Sequence, residues 1–279
     1  MSDEQLSFTD IEANICTIAG LVEEDKLYFA QMAGAPLMAI LLAKHSRTPN
    51  VGYVVEEGAV APSPSFPLPR MMLGASRSHY RSVAWYGMNI VDAHAALGFM
   101  DYGLLACLQV DRFGNFNSTH IGGTYEQPER RFGGPGGANE IASQCWRTLL
   151  MTKLENRKFV NTLDFMSSPG YLDGTPGARE RAGLPAGTGP YKVITQEAMF
   201  DFDEETHQMR LIAMMPWTSV EQVLGKMEFE PLIAEKIERM EPPTDEELNV
   251  IRTLLDPGGL AVSRGEWITI DRATGQRAA

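Results

Sequence analysis

The 279 residues carry 24 Lys and Arg against 36 Asp and Glu, a formal charge of −12, and are 44% hydrophobic and 22% charged. That is globular rather than disordered composition, with enough chain to bury a sizeable core in a single domain over 1–279. So acidic a chain offers no basic footprint for nucleic acid or an anionic membrane, while local cations and backbone amides still suit a small anionic ligand.

The amino terminus is acidic where a secretory signal would be basic. The longest apolar run, 33–43, is about eleven residues against the roughly twenty that a membrane-crossing helix needs. Three cysteines, Cys16, Cys107 and Cys145, fit neither a disulfide framework nor zinc spacing. A cytoplasmic protein is expected.

Thr9-Asp10-Ile11-Glu12 predicts a capped helix start, with Ile11, Ile15, Ile18 and Leu21 at helical spacing behind it. A strand over 26–30 follows, then a Gly34-Ala35-Pro36 turn into a helix over 37–45. The continuous apolarity of 51–55 suits a strand buried on both faces, the usual state of parallel strands. Four prolines make 59–69 an irregular loop, and 76–86 reads as a helix. A buried strand is expected over 102–110, then a polar turn over 111–119. The glycine-rich stretch 131–139 opens a helix to about residue 146, and 148–152 can be a strand. Residues 193–201 and 209–215 read as a hairpin, and helices at 219–227 and 244–255 close the fold. Strands alternating with helices predict an α/β fold with an open, mostly parallel sheet sandwiched by helices.

Glu56-Glu57-Gly58 stands at the carboxyl end of the strand over 51–55, the edge where ligands of open α/β sheets gather. Adjacent strand side chains point to opposite faces, so one glutamate can serve a site and the other is solvated or structural. Gly133-Gly-Pro-Gly-Gly-Ala-Asn139 fits neither the dinucleotide fingerprint nor the P-loop. Its backbone can approach a ligand closely and offer amides to an anion or oxyanion; a plain helix-capping loop is the other reading. His45, His79, His94, His120 and His207 show no metal spacing, and a satisfied or exposed role is the default for each. No G-x-S-x-G elbow is present, which speaks against an α/β-hydrolase triad.

Several blocks in order carry a resemblance. They are Gly34-Ala35-Pro36, Val54-Val-Glu-Glu-Gly58, Gln109-Val-Asp-Arg-Phe-Gly-Asn-Phe-Asn-Ser-Thr119 and Arg131-Phe-Gly-Gly-Pro-Gly-Gly-Ala-Asn139, followed by Ser167-Ser-Pro-Gly-Tyr-Leu-Asp-Gly174, Gly177-Ala-Arg-Glu-Arg181 and Leu255-Asp-Pro-Gly258. Together they resemble the B (β) subunit of family I coenzyme A transferases, of the glutaconate CoA-transferase type. The resemblance implies a nucleophilic glutamate two residues before a glycine, hence Glu56, with Glu57 in a slot usually held by Asn or Ser. Residues 59–64 depart from the family's more glycine-rich turn.

In that chemistry the backbone amides of Gly136 and Gly137 in the glycine-rich loop are the candidate oxyanion donors, and Gly34, Asn115, Asn117, Ala138 and Asn139 the candidate substrate contacts. The partners implied are a separate A (α) subunit completing the site in a hetero-oligomer, and acyl-CoA and carboxylate substrates. Coenzyme A is substrate and covalent intermediate, with no bound metal or redox cofactor. The alternatives are an acyl-CoA hydrolase or decarboxylase on the same scaffold, or a noncatalytic module like those related to sugar-phosphate isomerases.

Overall fold

A computed structural model describes residues 4–30, 34–68, 79–260 and 262–278. Contacts divide the chain into two units. One comprises the chain through Val91, Met215–Trp217 and the stretch from Arg239 on; the other is Asp92–Met214 with Thr218–Glu238.

In the first unit, Thr9 and Glu12 form the expected capping box. The Glu12 N–H donates to Thr9 Oγ1 (3.2 Å) and the Thr9 N–H to Glu12 Oε2 (2.7 Å), opening the helix Asp10–Gly20. A second box on Thr244 and Glu247 opens Asp245–Val250, which widens into a π-helical turn over Ile251–Leu255. The two capping carboxylates also hold arginines from distant parts of the chain: Arg252 grips Glu12 at 2.7 and 2.9 Å, and Arg47 pairs with Glu247. The parallel strands Leu27–Ala30 and Gly52–Val55 pair with Ala30 beside Val55. Between them in sequence runs the helix Ala35–Ser46, whose residues 37–43 are all buried, which accounts for the apolar run there. The strand Gln5–Thr9 pairs antiparallel with Trp267–Asp271.

Two expectations change in this unit. Ala59–Val60, inside the expected loop, folds back antiparallel on Gly52–Val55 and pairs in turn with Ala84–Trp85. The helix expected over 76–86 is not formed by its described part: residues 76–78 lie outside the described residues, Ala84–Trp85 is a strand, and the helix comes later, as Met88–Ala96. Ladder bonds from Val83 N to Val60 O (3.0 Å) and Tyr86 N to Gly58 O (2.9 Å) override the local helical pattern.

In the second unit, Arg147–Met151 lies between Tyr102–Ala106 and Pro190–Ile194, parallel to both. Ala198–Phe202 and Met209–Met214 continue antiparallel, with Leu232–Arg239 outermost. The expected strand over 193–201 is thus two strands, split by a turn in which Ala198 N–H donates to Thr195 Oγ1 (2.9 Å) and Thr195 N–H to Ala198 O (3.0 Å). The strand expected over 102–110 also breaks: it stops at Ala106, and Gln109–Val110 pairs with Phe116–Asn117 around the polar turn. The helix Ala138–Gln144 ends short of residue 146. It packs so closely on the strand Tyr102–Ala106 that a Cβ on Gly103 would lie 2.3 Å from Ile141 Cγ2. The architecture is α/β, with parallel strands extended by antiparallel ones. Among the described residues, no helix is long and apolar enough to cross a membrane.

Candidate active site

Glu56 and Glu57 form the corners of a tight turn rather than the last residues of a strand. The turn is closed by Gly58 N–H to Val55 O at 2.9 Å. Gly58 has φ +103°, and a Cβ there would sit 1.8 Å from the carbonyl oxygen of Tyr86. Only glycine fits this close approach, so the turn is clamped between the strand Gly52–Val55 and the edge strand Ala84–Trp85. Glu56 is half-buried. Glu57 shields both carboxylate oxygens from solvent, with Oε2 3.8 Å from Nε2 of His79. Turn geometry, not strand alternation, therefore sets the directions of the two side chains. Because Leu27–Ala30 and Gly52–Val55 run parallel, Ala30 and Val55 end at the same carboxyl edge, which the Glu56 turn leaves. Gly34 caps the helix Ala35–Ser46 at φ +65°, with open space where a Cβ would be.

The other expected site residues belong to the second unit. The loop over 133–137 is fixed by bonds from Phe132 N to Thr119 O (2.9 Å), Gly134 N to Ser118 O (3.2 Å) and Ala138 N to Pro135 O (2.9 Å). Gly136, exposed at φ +51°, has an N–H without an acceptor among the described residues. Gly137 precedes the helix, Ala138 is buried beneath the loop, and exposed Asn139 donates from Nδ2 to Ser167 O (3.0 Å).

Asn115 and Asn117 do a different job from the expected substrate contact. Asn115 donates to Asp111 Oδ2 (2.8 Å) and Leu172 O (2.7 Å), and accepts from the N–H groups of Gly170 (2.7 Å) and Leu172 (3.0 Å). Asn117, fully buried, donates to Gln109 Oε1 (2.7 Å) and His120 O (2.6 Å) and accepts from Thr119 N–H (2.9 Å). Amides so occupied hold loops together and have no donor left for a ligand.

Sequence reasoning passed over two further features. Arg179 is buried and donates to the carbonyls of Gly170 (2.6 Å), Ala142 and Ser143 (both 3.2 Å) and to Thr188 Oγ1 (2.8 Å). It lines a cavity of about 320 Å³ with Thr188, Tyr171 and His207, the last two stacked at 4.3 Å. His79, expected to be satisfied or exposed, is instead buried beside Glu57. The Gly177-Ala-Arg block carried a signal for Arg179; nothing local signalled His79.

All three cysteines are buried, and burial raises each thiol pKa, to about 11 for Cys107, so none is a thiolate nucleophile at neutral pH. Among the described residues, no three His, Cys, Asp or Glu side chains gather as metal ligands would.

The family model for Coenzyme A transferase matches residues 79–226. The chain is 34% identical over 258 residues to the B subunit of glutaconate CoA-transferase of Acidaminococcus fermentans, covering 90% of this chain and 94% of that one. It belongs to the coenzyme A transferase family. A second relative, the B subunit of 3-oxoadipate CoA-transferase of Pseudomonas knackmussii, is 31% identical over 221 residues, 79% of this chain and 84% of that one. The crystal structure of glutaconate coenzyme A-transferase from Acidaminococcus fermentans superposes with a TM-score of 0.82 at 32% identity, covering 91% of this chain and 97% of that one. Within the family this transferase chain thus aligns, over most of its length, with the B subunits of two-subunit enzymes.

Proposed function

We propose that this chain is the B subunit of a cytoplasmic CoA-transferase that moves CoA from an acyl-CoA to a small carboxylic acid, dicarboxylic or enoic, with Glu56 as nucleophile. The observation that carries the reading is the Glu56 turn, clamped by Gly58 against Tyr86 at the carboxyl edge of parallel strands. The Glu56 carboxylate attacks the thioester carbonyl, forming an acyl-glutamyl anhydride and expelling CoA as thiolate. The thiolate attacks the glutamyl carbonyl, leaving CoA on Glu56 as a thioester and releasing the first acid. The acceptor carboxylate then reverses both steps. Each tetrahedral intermediate carries an oxyanion, for which the backbone amides of Gly136 and Gly137 are the donors, worth roughly 3 kcal/mol. Gly34, Ala138 and Asn139 contact substrate in this reading, while Asn115 and Asn117 brace the loops. The anhydride must be kept from water, and the A subunit completes the enclosure. Residues 1–279 act as one subunit domain.

The test is coexpression with an A-type subunit. The complex is expected to exchange CoA between acyl-CoA and carboxylate, and the lone chain not to. Glu56→Gln keeps the volume but removes the anionic nucleophile, and is expected to lower exchange by several orders of magnitude, roughly 4 kcal/mol or more of barrier. Full-rate exchange by the single chain would overturn the two-subunit reading. Acyl-CoA hydrolysis or decarboxylation without CoA exchange would replace transfer with the alternative chemistry on this scaffold.

A further inference from the structure

The residue after the nucleophile is a second glutamate, which poses a chemical problem for a site whose substrates are carboxylates. A mobile Glu57 carboxylate beside Glu56 would repel the acceptor acid and compete with it for the same donors. The structure holds Glu57 in one place. Its oxygens are shut off from solvent, and Oε2 faces Nε2 of His79 at 3.8 Å. The His79 side chain is 1% exposed, and neither ring nitrogen has a hydrogen-bond partner among the described residues. Buried polar groups left in that condition are rare and ask for an explanation. One contact holds the imidazole and a second holds the backbone that carries it. Its ring packs edge-on against Trp85 at 4.5 Å, and Ser82 Oγ donates to its carbonyl at 2.7 Å. Trp85 belongs to the edge strand that clamps Gly58, so the imidazole is tied to the same framework that shapes the turn.

We infer that His79 is a positioning residue, whose imidazole retains the Glu57 carboxylate in the buried side of the turn so that Glu56 alone is presented to the thioester. The inference rests on Glu56 being the nucleophile. Burial keeps the His79 pKa below its usual value, so at neutral pH the ring is uncharged and offers one N–H. A shift of less than an ångström brings that N–H to hydrogen-bond distance from the carboxylate.

The test is a double-mutant cycle in the assembled complex. His79→Phe keeps the ring and its contact with Trp85 but removes the N–H. It is expected to lower kcat about tenfold and raise KM for the acceptor acid, with KM for acyl-CoA less affected. His79→Gln, which retains an N–H donor, is expected to fall between wild type and His79→Phe. Glu57→Gln, which removes the charge, is expected to retain most exchange and to restore His79→Phe to within about threefold of wild type. A purely packing role would not be rescued by Glu57→Gln. Unchanged kcat in His79→Phe, or a double variant as impaired as the single one, would overturn the inference. Should His79→Phe fail to assemble, the double variant still decides: recovered assembly and exchange uphold the pairing, and no recovery overturns it. Glu56→Gln measured alongside separates the two readings, because exchange surviving that change defeats the nucleophile assignment whatever His79 does.

Discussion

Gly136 combines three properties at one exposed residue: φ of +51°, an amide without an acceptor among the described residues, and a place in a loop pinned on both sides. A β-branched side chain is strained at that φ and would stand where the proposed reaction brings an acyl oxygen. Gly136→Val is therefore expected to reduce kcat at least tenfold while costing only the local strain of that φ in stability, because the residue is exposed. Thermal melting beside exchange kinetics checks this; equal losses would make the loop a cap and nothing more. Glu56 and this loop stood out as candidates because a carboxylate before a glycine and a run of glycines are chemical signals in themselves, and the order of the motif blocks around them singled out Glu56 as the proposed nucleophile. Asn115 and Asn117 misled for the opposite reason. A sequence displays the hydrogen-bonding capacity of an amide but not that Gly170, Leu172 and Gln109 have already filled it. His79 was invisible because its meaning comes from Glu57, more than twenty residues earlier in the chain.

At the scale of elements, the capping boxes of Thr9 and Thr244 were readable from a Thr followed three residues later by Glu. What the pattern could not show is that each capping carboxylate also anchors an arginine. Glu12 is 1% exposed and receives both Nε and Nη2 of Arg252, which ties the helix Asp10–Gly20 to the π-helical turn Ile251–Leu255. Arg252→Leu leaves that buried carboxylate with the Thr9 amide but without its cation. A loss of about 2 kcal/mol is expected, moderated because the guanidinium is partly solvated. Adding Glu12→Gln is expected to recover part of the loss in denaturant titrations, and strict additivity would contradict the coupling. The misplaced helix at 76–86 teaches a related lesson. Val83, Trp85 and Tyr86 have strand propensity that the helical reading passed over, and Ala84–Trp85 forms a strand by pairing with Ala59 and Val60.

For the whole molecule, alternating apolar strands and helices conveyed the α/β class, and the order of the motif blocks conveyed the family. The antiparallel pairing of Ala198–Phe202 with Met209–Met214 was legible as the hairpin expected over 193–201 and 209–215, whereas the antiparallel step before it was not, because it depends on the turn at residues 195–197. The net charge of −12 sharpens the chemical question. In the proposed reaction one glutamate among 36 acidic residues is singled out as the acyl acceptor. The most direct test is covalent trapping in the complex with the A-type subunit. Incubation with acyl-CoA and no acceptor acid leaves CoA on the enzyme as a thioester, which borohydride reduces and hydroxylamine converts to a hydroxamate. Fragmentation of the peptide spanning residues 56 and 57 is expected to place the modification on Glu56 alone. Modification at Glu57, or none in a complex that still consumes acyl-CoA, would contradict the account.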